Sequence, residues 1–337
     1  MTSSLRFGLI GTGRIGQVHA ASVAAIPGTE LSWVADPFID GAAETARRYG
    51  GANVTADPLE AIRSGEVDGV IIASPTPTHV DLIDAAIDAG VPVLCEKPID
   101  LDIVRVDALR EKAASSSTPV VLGFNRRFDP HFADLRRRVA DGEIGALEQL
   151  SITSRDPEAP PAAYIAVSGG IFRDMTIHDF DMARFFVPDI VEVTARGARQ
   201  FDAAIAAAGD YDAVVVTLRG AGGELITITN SRHSAYGYDQ RIEAFGPQGL
   251  LQVGNIPATQ VRAYTGAQVE GLAPYRRFFL ERYADAYRLE LEAFADLIRG
   301  GEDRSPGFED GRAALVLADA AVRSAAEGVS VAVDLSA

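Results

Sequence analysis

Of its 337 residues the chain spends only one on cysteine, one on tryptophan and five on histidine. A lone Cys95 excludes an internal disulfide and any cysteine cluster for zinc. Its place in the apolar run Val91-Pro92-Val93-Leu94-Cys95 reads as a buried, inert thiol. Apolar runs long enough to span a bilayer are missing too. The start, Met1-Thr2-Ser3-Ser4-Leu5-Arg6, enters a strand pattern without the basic region and apolar core of a signal peptide, so a soluble, reducing, cytoplasmic setting is expected. Positive charge is sparse: 31 Lys and Arg against 47 Asp and Glu give a net charge of −16. That balance repels phosphate backbones and anionic lipid, so neither nucleic acid nor membrane is an expected partner. The scarcest charged residue is lysine, confined to Lys97 and Lys112. Arginine is a fixed cation, whereas a lysine ammonium is compact and can lose its proton when desolvated or near another cation. Lys97 follows directly on the apolar run, within Glu96-Lys97-Pro98, at the carboxyl end of a predicted strand where open α/β sheets bind ligands. It reads as a lysine kept for chemistry, or else as an ordinary lysine at a strand end.

Apolar residues make up 47% of the chain, ample for globular cores, and the length favours two domains. Leu5 to Ile10 forms a short apolar strand, followed by Gly11-Thr12-Gly13-Arg14-Ile15-Gly16 and a helical pattern through Val18, Val23 and Ile26. Strand, G-x-G-x-x-G and helix in succession are the context of a dinucleotide turn. Gly11 makes the turn, Gly13 lets backbone approach a pyrophosphate, and Gly16 allows close packing of helix on strand, with the helix start facing the phosphates. A second strand, Leu31 to Ala35, ends at Asp36, where a carboxylate takes the ribose hydroxyls of NAD. Pro37 and Phe38 follow, with no adjacent arginine for a ribose phosphate, so NAD is favoured over NADP.

Strands and helices continue to alternate up to a last strand at Val120 to Gly123. Between them, Ser74-Pro75-Thr76-Pro77-Thr78-His79 reads as an extended loop at a strand's carboxyl end, lining a cofactor groove. Six strands with crossover helices make a doubly wound parallel sheet over residues 1–123. From residue 124 to 337 the texture is different. Strand-like runs at 147–155, 190–199, 213–218, 224–231, 240–245, 250–253 and 261–264, with short glycine-rich links, predict an α+β domain around a large, open, mostly antiparallel sheet. Helices are expected at 174–186, 280–298 and 310–327, and 156–168 as a loop without periodicity. A sheet with one uncovered face favours a homo-oligomer, dimer or tetramer, formed through it.

The stretch Gly169 to Arg184 carries Asp174 and His178 four residues apart, hence on one helix face, with Asp181 a turn further on. A neutral imidazole can take a hydroxyl proton near physiological pH, and a neighbouring carboxylate can orient it or bind substrate. Three readings fit this face: a metal site from Asp174, His178 and Asp181, a structural carboxylate-histidine pair, or a catalytic pair acting with Lys97. The first lacks a second histidine or cysteine, and hydride transfer with a protein base needs no metal, so none is expected.

Taken together, Gly11 to Gly16, Ser74 to His79, Glu96-Lys97-Pro98, Gly123-Phe124-Asn125-Arg126-Arg127-Phe128-Asp129 and Gly169 to Arg184 resemble the glucose-fructose oxidoreductase/inositol dehydrogenase/rhizopine catabolism family over essentially the whole chain. The resemblance implies a Rossmann domain that binds NAD through Gly11, Gly13, Arg14, Ile15, Gly16, Asp36, Ser74, Thr76, His79, Glu96 and Lys97. It implies Lys97, Asp174 and His178 as catalytic residues, and Asn125, Arg126, Asp156, Asp174, His178 and Tyr236 around a small polyol or sugar. The wording of Gly169 to Arg184 and of Tyr236-Gly237-Tyr238-Asp239 is most similar to the family's inositol 2-dehydrogenases. The implied activity is oxidation of a cyclitol alcohol, myo-inositol to 2-keto-inositol. Other outcomes within the family are a dehydrogenase for another polyol, pyranose or anhydrosugar, a hydrolase that oxidises and re-reduces its sugar, and a non-catalytic dinucleotide-dependent sensor.

Overall fold

The structure, a computed structural model, describes residues 4–337. The approach to the first strand through Met1-Thr2-Ser3 lies outside the described residues. The chain divides into two compact units, one formed by the residues up to Phe128 with Asp285–Ala313, the other by Asp129–Ala284 with Ala314–Ala337.

The apolar runs of the first unit fold as β1 (Leu5–Ile10), β2 (Thr29–Ala35), β3 (Asn53–Thr55), β4 (Gly69–Ile72), β5 (Val93–Cys95) and β6 (Val120–Leu122). The intervening helices are α1 (Arg14–Ala25), α2 (Ile39–Tyr49), α3 (Pro58–Arg63), α4 (His79–Ala89) and α5 (Ile103–Ser115). All strand pairs are parallel, in the order β3-β2-β1-β4-β5-β6. β4 is buried from end to end, which is why Gly69-Val70-Ile71-Ile72 shows no alternation of polar and apolar residues. Asp57 and Asp102 start their helices by accepting the amides of Leu59 and Val104. The strand order reverses between β1 and β4, so their carboxyl ends flank the switch point where such sheets take ligands. In β5, Cys95 is fully buried, and burial, with Glu96 beside it, pushes its thiol well above the ordinary range.

The second unit begins with α6 (Pro130–Ala140), β7 (Gln149–Arg155), α7 (Ala162–Ile165), α8 (Ile171–Asp174) and α9 (Thr176–Phe186). There follow β8 (Ile190–Ala198), α10 (Ala203–Ala207), β9 (Ala213–Gly220), β10 (Leu225–Ser231), β11 (Asp239–Gly246) and β12 (Gly249–Val253), then a small ribbon, β13 (Arg262–Ala263) and β14 (Gly271–Leu272). The chain closes with α11 (Phe279–Arg282), α12 (Ala284–Ile298), α13 (Phe308–Glu327) and β15 (Val331–Ala332). The main sheet runs β12-β11-β7-β10-β9-β8-β15 and is antiparallel except for the pair β7 and β10. In β9, Val214, Val216 and Leu218 are buried while Val215, Thr217 and Arg219 are exposed, so only one face is covered. On the covered face α9 is held by polar contacts. Asp179 accepts from Ser154 Oγ at 2.6 Å and Asn230 Nδ2 at 2.6 Å, and the Thr176 hydroxyl donates to Asn230 Oδ1 at 2.7 Å.

Several expectations change, and the helix expected over 280–298 is one of them: it is interrupted at Tyr283, between α11 and α12. The helix predicted over 174–186 is two helices, because the His178 amide turns to the Met175 carbonyl at 3.3 Å, three residues back, and the ladder tightens there. Thr76–Thr78 is a single 3-10 turn rather than extended loop, closed by the Thr78 amide on the Pro75 carbonyl. The aperiodic loop 156–168 contains the one-turn helix α7. A single domain break after residue 123 also fails to describe the packing. Leu291, Phe294 and Ala295 of α12 are fully buried in the core of the parallel sheet, with the Phe294 ring 5.9 Å from that of Phe7. The apolar face of α12 was visible in the sequence, but nothing local specifies which sheet covers it.

Phe294→Ala removes a fully buried ring from that core and is expected to cost about 3–5 kcal/mol in the first unit's unfolding, followed by urea denaturation.

Candidate active site

In the first unit the predicted residues gather at the carboxyl ends of the parallel strands. Gly11 leaves β1 at φ +94°, and a Cβ there would stand 2.6 Å from the Ala73 carbonyl oxygen after β4. A Cβ at Gly16 would meet the Gly11 carbonyl at 2.1 Å, whereas at Gly13 nothing lies within 4 Å. Two glycines are thus required by the turn itself, and the third faces open space. α1 starts at Gly13 with no capping side chain, so its end presents main-chain amides and a positive dipole. Asp36, at the end of β2, accepts from both the amide and the hydroxyl of Thr12 at 2.8 Å and from the Phe38 amide at 2.8 Å. Beside it Phe38 is 82% exposed. Open space over Gly13, an uncapped helix start and an anchored carboxylate together fit a dinucleotide.

The remaining first-unit residues are placed by buried contacts. Ser74 and Thr78 share a hydroxyl contact of 2.6 Å around Thr76. His79 is buried, with Nδ1 2.8 Å from the Pro98 carbonyl oxygen and Nε2 2.8 Å from that of Ser74, so it links the exits of β4 and β5. Glu96 is buried and pairs with His19 Nε2 at 2.8 Å. That bond ties α1 to the residue preceding Lys97. Lys97 itself is half-buried, two residues beyond β5. Asn125 and Arg126 are buried in a 3-10 turn just after β6. Arg14 is exposed and Ile15 half-buried at the head of α1.

The second-unit residues lie on α8 and α9 and on the segments that follow β7 and β10. Asp174 and His178 are both half-buried, while Ile177, Met175 and Phe180 between and beyond them are buried, so the pair shares the accessible side of α8 and α9. Asp181 is fully buried and does not share it. Among the described residues, no group of three His, Cys, Asp or Glu side chains is disposed to hold a metal ion. Asp174 Oδ2 pairs with Arg232 Nη1 at 3.3 Å, and Tyr164 donates its hydroxyl to Asp174 Oδ1 at 2.8 Å. Asp156 is half-buried, its amide bonded to the Ser231 carbonyl. The Tyr236 hydroxyl donates to Asp239 Oδ2 at 2.7 Å and receives Arg155 Nη1 at 2.7 Å. Asp239 is fully buried and also accepts from Arg241 and Asn255. Burial alone pushes its carboxyl up, but the bonds from Arg241, Tyr236 and Asn255 outweigh that and hold it below the usual range. Arg232, Tyr164 and His19 were not singled out from sequence. Arg232 alone left a signal there, as a charged residue directly after a strand and four before Tyr236.

Residues 5–124 match the family described as "Oxidoreductase family, NAD-binding Rossmann fold", and residues 132–252 match the "GFO/IDH/MocA C-terminal domain". The chain belongs to the GFO/IDH/MocA family of oxidoreductases. Its first unit carries that family's NAD-binding Rossmann domain. The chain is 48% identical over 327 residues to an inositol 2-dehydrogenase of Rhizobium meliloti, covering 96% of this chain and 98% of the relative. It superposes with a TM-score of 0.94 on the crystal structure of a myo-inositol dehydrogenase from Corynebacterium glutamicum, at 56% identity, covering 98% and 99% of the two chains. A scyllo-inositol dehydrogenase of Lactobacillus casei, solved with NAD(H) and scyllo-inositol, is similar at 28% identity and a TM-score of 0.90, covering 99% and 100%.

The glycine geometry separates two GFO/IDH/MocA variants. Gly13→Ala is expected to leave the melting temperature unchanged and weaken NAD binding about tenfold or more by filling the space over the turn, whereas Gly16→Ala lowers both, as read by thermal melting and NAD titration. The Asp239 carboxyl predicts a sign for acid behaviour. A folded value held below the ordinary one gives stability that is complete above about pH 4 and is lost as pH falls through the folded value, so Asp239→Asn flattens the acid limb of stability in urea titrations.

Proposed function

We propose that this protein is an NAD-dependent inositol 2-dehydrogenase that oxidises a secondary alcohol of myo-inositol to the ketone. The reading rests on one observation above the others: a chain that builds a glycine cradle with an anchored Asp36 also presents a half-buried carboxylate and imidazole, Asp174 and His178, on one accessible side of a second unit. Near full-length similarity to an inositol 2-dehydrogenase and to a solved myo-inositol dehydrogenase supports the substrate. NAD, when bound, supplies the acceptor for the carbinol hydride. We assign the proton chemistry to His178, which takes the hydroxyl proton, and to Lys97, which donates a hydrogen bond to the reacting oxygen and stabilises the charge it gains. Proton relay is shared between these two. Asp174 accepts a hydrogen bond from a neighbouring hydroxyl. Asn125, Arg126, Asp156 and Tyr236 are the further polar partners that a ring of hydroxyls requires, since an unpaired buried polar group on either side is costly. Gly11, Gly13, Arg14, Ile15, Gly16, Asp36, Ser74 and Thr76 hold the dinucleotide, with His79 and Glu96 fixing the strand exits beneath it.

A homo-oligomer and a cytoplasmic setting belong to the same reading. The uncovered sheet face presents Val215 and Leu225 to solvent, apolar side chains that pairing with a second copy would cover. A reducing compartment suits a chain whose only cysteine is a buried thiol. Among the described residues no helix is long and apolar enough to cross a membrane.

A panel of cyclitols and aldoses assayed for NADH formation with NAD and NADP tests the assignment; myo-inositol with NAD should give the highest kcat/KM, and no NADH with any polyol would overturn it. Lys97→Ala and His178→Ala are each expected to lower turnover about 100-fold or more while NAD still binds, as measured by fluorescence titration. Asp36→Ala should weaken NAD binding and leave the fold intact, with a modest fall in melting temperature from the bonds lost to Thr12 and Phe38.

A further inference from the structure

Arg232 follows β10 directly and is 1% exposed, an unusual depth for a guanidinium. Two carboxylates share it: Asp174 Oδ2 lies 3.3 Å from Nη1 and Asp210 Oδ2 lies 3.2 Å from Nη2. Its own backbone is fixed, because its amide donates to the Asp212 carbonyl at 2.8 Å. Asp210 does a second thing. Its Oδ1 accepts the amide of Ile171 at 2.9 Å, at the first residue of α8, the short helix that ends in Asp174. Gly170 permits this, since a Cβ there would stand 3.0 Å from Asp210 Oδ1. One carboxylate therefore pins the start of α8 and one guanidinium pins the side chain at its end.

We propose that Arg232, braced by Asp210, is a positioning residue of the dehydrogenase reaction: it holds the Asp174 carboxylate in one orientation, with Oδ1 directed to hydroxyl donors. The inference rests on the assignment of Asp174 to the polyol site. The hydroxyl already bonded to Oδ1 is that of Tyr164, in the one-turn helix α7, at 2.8 Å and on a residue that is 47% exposed. Asp174 is therefore arranged to accept from an alcohol on that oxygen while Arg232 occupies the other. Fork geometry is essential to this function, because one planar cation must reach two carboxylates at once. A lysine ammonium keeps the charge but not the two-pronged reach.

The test is a double-mutant cycle on the full-length enzyme, read as kcat/KM for inositol beside NAD affinity and the melting temperature. Arg232→Gln is expected to lower kcat/KM about 30-fold or more with NAD affinity within about twofold of wild type, and Arg232→Lys to recover part of the loss. Because Arg232 acts through Asp174, adding Arg232→Gln to Asp174→Asn should cost less than about threefold further. Wild-type kcat/KM in Arg232→Gln overturns the proposal, as does a loss of equal size in both backgrounds, which would mark a role independent of Asp174. If Asp174→Asn itself keeps wild-type kcat/KM, the site assignment beneath the proposal falls with it. Should both Arg232 variants fail to fold, Asp210→Asn decides by the same cycle: a loss that vanishes in the Asp174→Asn background supports the brace, and unchanged kinetics overturn it.

Discussion

The main-chain approach between Gly11 and Ala73 governs the geometry of the first unit. Two parallel strands, β1 and β4, leave the sheet side by side at the point where strand order reverses, and only a residue without Cβ lets their exits come so near. Several polar contacts of that half are arranged around the meeting. Thr12, one residue on, delivers two hydrogen bonds to Asp36, so the carboxylate at the end of β2 is tied to the turn at the end of β1. His79 spans the exits of β4 and β5, and the His19–Glu96 pair secures the residue before Lys97 to the helix that begins over Gly13. These bonds cross-link the ligand end of the sheet, and such preorganisation lowers the entropic cost of precise positioning.

The second unit reaches the same end by a different means. On its covered sheet face Ser154, Asn230 and Gln240 are buried polar side chains: Ser154 bonds to Gln240 and to Asp179 of α9, and Asn230 bonds to Asp179. A buried carboxylate is tolerated only with such partners. The cluster fixes α9 against β7 and β10, and with it the direction in which His178 leaves the helix. Arg232 and Asp210 do for Asp174 what this cluster does for α9.

How much of this could be read in the sequence depends on whether the cause is local. The six parallel strands, the glycine turn and Asp36 were legible because a turn, a strand and a helix start each leave a signature within a few residues. Asp174 and His178 drew attention through their spacing, although the structure puts them on two successive helices rather than one. The break at Met175, by contrast, comes from a shifted hydrogen bond rather than from a glycine or proline, and the sequence there reads as one helix. Arg232 was missed because its meaning lies in Asp174 and Asp210, distant in sequence and joined to it only by the fold. The membership of α12 was missed for the same reason: an apolar helix face does not name its partner.

That last feature bears on how the protein is made. Phe294 completes the core of a sheet whose final strand, β6, left the ribosome more than half a chain earlier. Until synthesis reaches it, the nucleotide-binding half carries an apolar surface with nothing to cover it, and no fragment ending before Asp285 can close that gap. The dinucleotide-binding half is therefore not a module that could be cut out at its apparent end and expected to stand alone, and its assembly must wait for nearly the whole polypeptide.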